Sequence, residues 1–575
     1  MISDKKSVQV LVNLCEQYGI QNVVFSAGSR NAPLIISFTE NKFFNCISIV
    51  DERSAAFYAL GKAQQLREPV IICCTSGSAA LNYAPAISEA YYQDIPLLVI
   101  TSDRPAKWLN NGEGQMIDQV NIFQNYIHHS YSIPSDLSNE NISLSETEIN
   151  SALNNAKAIT NNTVHINIPF EEPLYNTIAS EDAYIPQYSP KREERTLLTE
   201  IEIQYISRKW KKANRILILC GVLEKNTELN NLLKQINENC AVCILTESTA
   251  NICDLKFISC IDRTLNAINE NELINYAPDL LISIGGAIIS KRIKSFLRNN
   301  KAKEHWQISI KPEPIDTFSS LTKKLDISPL SFFSQIQLIE PNFDSNFGDQ
   351  WLEKSFSAQR RHEEFIRRCA WSDLKATSII IDTLPDFSNL HMGNSSPVRY
   401  IQLFEQINTV QYNANRGVSG IDGCTSTMIG AASVSNNLTV LVSGDLSFVY
   451  DINALWNNHL TPNIRIIVIN NSGGGIFRII PGPSTTKQFE DFFEVGNNAK
   501  IQQLVTAHNI NYYNACNEAS LEEALPKFYN EQENKRPAVL EIFTPKEVNA
   551  VILKSYFESI KDNSSLSKSP KSKVK

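Results

Sequence analysis

Gly444-Asp445-Leu446-Ser447 closes one apolar run (TVLVSGD), and Asn470-Asn471-Ser472-Gly473-Gly474 closes the next (IRIIVINNSGG) about 26 residues further on. If the two runs are neighbouring strands, Asp445, Asn471 and a backbone carbonyl stand side by side. Such a set of hard oxygens suits Mg²⁺ and leaves coordination positions for a diphosphate. The glycines after Asn471 let the backbone approach phosphate closely. An Asp at a strand end can equally cap the helix that follows, so the remaining strand ends must decide.

Ligands of open α/β sheets bind beyond the carboxyl ends of the strands. In the first 175 or so residues, NVVFS is followed by Ala27-Gly28-Ser29-Arg30, and CISIVD by Glu52-Arg53. VIICCT runs into Thr75-Ser76-Gly77-Ser78, and PLLVIT into Ser102-Asp103-Arg104-Pro105. Singly, Asp51, Ser29 and Asp103 read as helix caps with surface arginines beside them. Four successive strand ends carrying such groups point instead to a shared rim with a carboxylate, arginines and small hydroxyl residues.

The elements that must position these residues are legible as nearly continuous apolar strands alternating with amphipathic helices, the pattern of parallel sheets covered on both faces. A second such series runs through RILILCG, AVCILTE, DLLISIGG and HWQISI, and a third through TVQYN, LTVLVSGD, IRIIVINN and AVLEIF. The expected class is therefore α/β, with three doubly wound parallel-sheet domains at 1–180, 195–345 and 370–550. A polar stretch near 185–195 reads as a linker, and 562–575 as a disordered Ser/Lys-rich tail. Ile284-Gly285-Gly286 reads as a tight turn more readily than as a phosphate loop.

The 575 residues carry a net charge of −8 with dispersed Lys and Arg, which argues against a nucleic-acid partner. No apolar run reaches the roughly 18 residues of a membrane span, and the N-terminus lacks a signal core. Membrane insertion is not expected, and a cytoplasmic location is. Most of the twelve cysteines lie inside apolar segments. Cys240 and Cys243 form a lone C-x-x-C within a strand-like run, so free thiols in a reducing compartment are expected in place of zinc or disulfides.

Glu52 after the second strand, Thr75-Ser76-Gly77 after the third, and the distant Gly-Asp…Asn-Asn resemble the thiamine diphosphate (ThDP) enzymes of pyruvate-oxidase-like architecture. GSRNAPL (28–34), Asp51-Glu52-Arg53, Ser102-Asp103-Arg104-Pro105, Asn394-Ser395, Asn415-Arg416-Gly417 and SGIDG (419–423) are similar to the SEPHCHC synthase family of menaquinone biosynthesis in particular. Leu446, irregular for the superfamily, is the form that family uses. The resemblance implies a pyrimidine-binding first domain and a diphosphate/Mg-binding third domain. It implies ThDP with Mg²⁺, or Mn²⁺ in its place, as cofactors, and a homodimer or tetramer with active sites between subunits. It further implies a transferase that decarboxylates 2-oxoglutarate and adds the succinyl carbanion 1,4 to isochorismate.

Residue by residue, the resemblance gives Glu52 the aminopyrimidine contact and Ile421 the wedge that bends the cofactor. Thr75, Ser76, Gly77, Gly444, Leu446 and Ser447 join the cofactor set, while Ile476 and Phe477 wall the thiazolium. Asp445, Asn471 and Gly473 become the metal ligands. Arg30, Ser29, Arg104, Gln115, Lys291 and Arg292 fall to isochorismate, and Ser395, Arg399 and Arg416 to the distal carboxylate of 2-oxoglutarate. Gly114 departs from the family, which often has Asn there. Lys291 and Arg292 read alternatively as a basic helix start. Two other functions stay open: a different ThDP reaction of acetolactate-synthase type, and a ThDP-fold protein that binds or scaffolds without catalysis.

Overall fold

The computed structural model describes residues 1–561 except 136–137, 161, 191–196, 340–344, 481 and 533. The tail at 562–575 and residues 191–195 of the expected linker lie outside the described residues.

Three parallel sheets form. The first has six strands: β1 (Asn22–Phe25), β2 (Asn45–Ser48), β3 (Val70–Cys74), β4 (Leu97–Asp103), β5 (His129–Ser132) and β6 (Val164–Pro169), in the order β2-β1-β3-β4-β6-β5. The central sheet has five: β7 (Ile216–Cys220), β8 (Val242–Thr246), β9 (Leu280–Ile284), β10 (Glu304–Ile308) and β11 (Lys323–Leu325), ordered β8-β7-β9-β10-β11. The third again has six: β12 (Asn389–Met392), β13 (Gln411–Asn413), β14 (Thr439–Gly444), β15 (Ile464–Asn470), β16 (Asn511–Ala515) and β17 (Ala538–Phe543), ordered β13-β12-β14-β15-β17-β16.

The interior strands β3, β4, β14 and β15 are buried along almost their whole length because helices cover both faces. Four strands of these three sheets went unread in the sequence. His129–Ser132, Lys323–Leu325 and Asn511–Ala515 are edge strands, where one side faces no partner and polar residues are tolerated. Asn389–Met392 is interior and fully buried, yet NLHM carries no β-branched residue to mark it.

The first and third sheets share one core, in which the helix Glu52–Leu66 lies on the helix Cys424–Ala432. Gly61 and Gly430 make the approach possible. A Cβ on Gly61 would fall 1.8 Å from the Thr427 carbonyl oxygen, and one on Gly430 1.9 Å from that of Tyr58. In the central sheet the Gly286 N–H donates to the Val222 carbonyl at 2.8 Å, so this glycine pair closes a turn between strand ends. Among the described residues no helix is long and apolar enough to cross a membrane.

Candidate active site

β14 and β15 pair in parallel with Gly444 opposite Ile469, which brings Asp445 and Asn471 to the same rim. There a cavity of about 170 Å³ is lined by Asp445, Leu446, Ser447, Asn471 and Gly473–Phe477, with Ile421, Ser395 and Asp373 on its other walls. Asp445 starts the helix Asp445–Tyr450, with Gly444 in the cap position. Asp445 Oδ2 accepts from Asn497 Nδ2 at 3.1 Å. Burial pushes the Asp445 carboxyl up to about 6, with the Asn497 bond opposing the shift.

Asn471 Nδ2 donates to Asp373 Oδ2 at 2.9 Å, while Asn471 Oδ1 is buried with no partner. A buried acceptor without a donor is costly, and a buried carboxylate favours a nearby cation. The two oxygens at this rim therefore fit a hard divalent ion. Gly473 turns the chain at φ +143, a conformation open to glycine, and Gly474 N–H is tied to the Glu494 carbonyl at 2.6 Å. Ser447 Oγ donates to the Ile421 carbonyl at 2.7 Å, which pins the Ile421 loop to the start of the Asp445 helix.

Beside the cavity stand two arginines. Arg416 Nη1 donates to Asn394 Oδ1 at 2.8 Å, and Asn394 Nδ2 in turn holds the carbonyls of Asn415 and Gly420. Arg399 donates to the carbonyl of Ser395, a residue held at φ +75. Burial lowers both guanidinium pKa values, and for Arg416 the neighbouring Arg399 adds to it. Among the described residues no carboxylate lies within 4.0 Å of either guanidinium. Glu247 and Asp262 act on them from further off. Glu247 accepts the N–H groups of Ile289 and Ser290, both at 2.6 Å, and burial pushes it up to about 7.

The loop that carries Arg416 is held from the first domain. Glu89 is 2% exposed and accepts from the N–H groups of Gly417 (2.6 Å), Val418 (2.7 Å) and Ser419 (3.3 Å). Sequence reading missed it, since a single Glu in APAISEAYYQ looks like part of a solvated helix face. Asp373, at a helix start, and Gln119, in a loop, were likewise missed. Each lies far along the chain from the residue it holds.

On the first sheet Arg30 is buried, donates to the Phe170 carbonyl at 2.9 Å and pairs with Glu172 at 3.2 Å. Burial lowers its pKa; Glu172 opposes this and Arg104 reinforces it. Arg30 N–H donates to Thr75 Oγ1 at 3.3 Å, and Ser76 Oγ donates to the Gln115 carbonyl at 3.0 Å. Gln119 Oε1 accepts from Gly77 N–H at 2.9 Å, while its amide holds Ser102 and Asn167. Ser29 and Gln115 are exposed. Arg30, Arg104, Thr75, Ser76, Gly77 and Gln115 thus form one cluster, as the strand ends suggested. Asp103 accepts from Arg104 N–H and Asn167 within it and caps no helix.

Other residues stand apart from this grouping. Asp51 does cap the helix Glu52–Leu66, accepting from Ser54 N–H at 2.8 Å. Glu52, half-buried, faces its own domain near Cys74 and Tyr83 and does not line the Asp445 cavity. Thr75, Ser76 and Gly77 do not line it either. Lys291 and Arg292 open the helix Lys291–Asn299 behind the cap Ser290, both exposed, and Arg292 lies 4.4 Å over the Phe557 ring. No contact joins them to Arg30 or Arg104, so in a single chain the basic-helix-start reading describes them better.

Residues 5–122 match the thiamine pyrophosphate enzyme N-terminal TPP binding domain, 183–392 the middle domain of thiamine pyrophosphate enzymes, and 394–542 the C-terminal TPP binding domain. The chain is 42% identical to the 2-succinyl-5-enolpyruvyl-6-hydroxy-3-cyclohexene-1-carboxylate synthase of Christiangramia forsetii, covering 96% of this chain and 98% of that one. It is 40% identical to the enzyme of that name from Flavobacterium psychrophilum (96% and 98% covered) and 38% identical to that from Porphyromonas gingivalis (98% of each). With three thiamine pyrophosphate enzyme domains in order and such likeness along nearly its whole length, the chain belongs to the SEPHCHC synthase family of thiamine-diphosphate-dependent enzymes.

Proposed function

We propose that this enzyme decarboxylates 2-oxoglutarate and adds the four-carbon remainder 1,4 to isochorismate, releasing CO₂ and SEPHCHC, a step of menaquinone biosynthesis. The observation that carries the proposal is the Arg399–Arg416 pair, half-buried and bonded to Ser395 and Asn394 of the Asp445 cavity wall, with no carboxylate within 4.0 Å among the described residues. Two partly desolvated guanidinium groups favour an incoming carboxylate such as the distal one of a 2-oxo diacid, with its fork geometry matched by arginine. Ser395 lies next to them.

When bound, thiamine diphosphate supplies the nucleophilic carbon and the electron sink for decarboxylation and carbon–carbon bond formation. Asp445, Asn471 and the Gly473 carbonyl would hold Mg²⁺ (or Mn²⁺) against its diphosphate, with Gly444, Leu446 and Ser447 around it. Ile421, fixed through Ser447, would press against its middle, and Ile476 and Phe477 would exclude water from the reacting carbon. Glu52 would hold the proton shared with N1′ of the aminopyrimidine, and Thr75, Ser76 and Gly77 would shape that end. Arg30, Arg104, Ser29 and Gln115 would take the carboxylates of isochorismate, and Lys291 and Arg292 would join them only if a mobile side chain or a second subunit brings them there.

Glu52 does not line the cavity of its own chain, which supports a homo-oligomer whose sites combine the Glu52 rim of one subunit with the Asp445 rim of another. Val50, Val418 and Tyr450, each more than half exposed beside these segments, suit a covered surface of this kind. Twelve free cysteines fit a reducing, cytoplasmic setting.

The test is incubation with ThDP, Mg²⁺ and 2-oxoglutarate, with and without isochorismate, following CO₂ and the ring adduct. CO₂ release coupled to a 1,4-adduct is expected. Acetolactate formed from pyruvate would indicate the other ThDP chemistry, and absence of turnover a non-catalytic role.

A further inference from the structure

An asparagine that ligates a cation must present its oxygen, yet the two ends of its amide are nearly the same shape. Something has to decide which way round Asn471 sits. Its Nδ2 lies 2.9 Å from Oδ2 of Asp373, which reaches in from the start of a separate helix, Asp373–Asp382. Asp373 is itself fixed at two further points and buried. Its Oδ1 accepts from Thr544 Oγ1 at 2.6 Å, its N–H donates to Asn549 Oδ1 at 2.8 Å, and it is 2% exposed.

An ionised carboxylate oxygen accepts and does not donate. It pairs with the amide NH₂ of Asn471 and repels the amide oxygen. Asn471 Oδ1 is thereby left buried, without a partner, toward the cavity that Asp445 and Gly473 also line. With the amide reversed, two N–H groups would meet the cation. We propose that Asp373 is a positioning residue that sets the amide orientation of Asn471 and so makes the cavity a divalent-cation site. This rests on the metal role proposed above for Asp445 and Asn471.

The test measures Mg²⁺-dependent binding of thiamine diphosphate to the full-length protein by calorimetry, without turnover. In Asp373→Asn the introduced amide can satisfy Asn471 in either orientation, and apparent Mg²⁺ affinity should fall about 10–100-fold, the usual cost of losing an outer-sphere partner. Asn471→Asp alone sets two carboxylates against each other and should also weaken binding. Combining Asp373→Asn with Asn471→Asp restores a donor–acceptor pair and leaves a carboxylate oxygen for the ion, so affinity should recover most of the loss.

Wild-type Mg²⁺ affinity in Asp373→Asn, or a double variant no better than Asp373→Asn, would overturn the proposal. Should Asp373→Asn fail to fold by circular dichroism, Thr544→Val, which frees one anchor of Asp373, is expected to show a smaller loss. Unchanged affinity in that variant would count equally against the proposal. Asp445→Ala separates the two levels. If it leaves the Mg²⁺ dependence intact, the metal site itself is misplaced; if it abolishes the dependence while Asp373→Asn does not, only the role of Asp373 fails.

Discussion

The first and third sheets have the same topology: numbering strands within each, both run 2-1-3-4-6-5. Their rims are chemically different. At the first rim, beyond β1, β3 and β4, several groups are paired within the protein, although Ser102 Oγ and Arg104 Nε are buried without a partner. Arg30 has a carbonyl and Glu172, and Gln119 ties Gly77 to Ser102 and Asn167. Beyond β14 and β15 the rim holds a carboxylate raised to about 6, an amide oxygen without a donor, and two arginines with no carboxylate within 4.0 Å among the described residues. The same arrangement of strands makes one rim a preorganised frame and the other an incomplete one that a metal, a diphosphate and an anion would complete. Chemistry here resides in the residues after the strands and not in the fold.

The sharpest way to break this comparison is to disable one rim at a time. Asp445→Ala should abolish turnover together with Mg²⁺-dependent cofactor binding, because it removes the only anionic oxygen proposed for the ion. Glu52→Gln should retain cofactor binding but lose about 10²–10⁴-fold in kcat, the range of a lost proton-transfer partner. If sites are shared between subunits, mixing and reassembling these two inactive proteins should restore roughly a quarter of the sites, as a two-fold dimer with random pairing requires. No recovery on mixing would place both rims of a site in one chain.

A smaller effect is expected at the arginine pair. Arg416→Ala should raise KM for 2-oxoglutarate far more than it changes cofactor affinity, by about 2–5 kcal/mol if the group meets a buried carboxylate. Equal loss with a 2-oxo monoacid would argue that Arg416 holds the loop and not the substrate.

The smallest effect concerns the seam between the two sheets. Asp451 accepts from Ser426 N–H (2.7 Å) and Oγ (2.9 Å), and burial pushes it up to about 7. Its folded pKa lies above the ordinary value of 3.8, so the stability it contributes is full below that value and is lost as pH rises through about 7. Asp451→Asn, which keeps one acceptor and can donate to the Ser426 hydroxyl, should flatten the stability–pH profile across this window. Relative to the parent it should gain on the order of 1 kcal/mol at pH 8, read from denaturant midpoints.

What could be read from the chain was whatever is local. Apolar runs such as VIICC and IRIIVIN, followed at once by their polar ends, announced both the interior strands and the groups at their rims. Residues that act across the fold were silent. Glu89 reaches the amides of 417–419, and Asp373 reaches Asn471, from segments whose own patterns describe ordinary helices. Asp51 shows the opposite case. It does cap a helix, as a lone Asp after a strand suggests, and it also accepts from Asn453 in the third domain at 2.7 Å. Lys291 and Arg292 carried no local sign of whether they face a ligand, and Arg292 rests on Phe557.

The glycine-to-backbone contact between the helices Glu52–Leu66 and Cys424–Ala432 has a consequence for synthesis. Gly61 meets Thr427, 366 residues later in the chain. At ordinary translation speeds of about 5–20 residues per second, the face around Gly61 waits roughly 20–70 s for its cover to emerge. Throughout that interval an apolar helix surface is bare on the nascent chain. Chaperone dependence and the yield of assembled protein should therefore respond to elongation rate across the central domain, a region that contributes no residue to the Asp445 cavity.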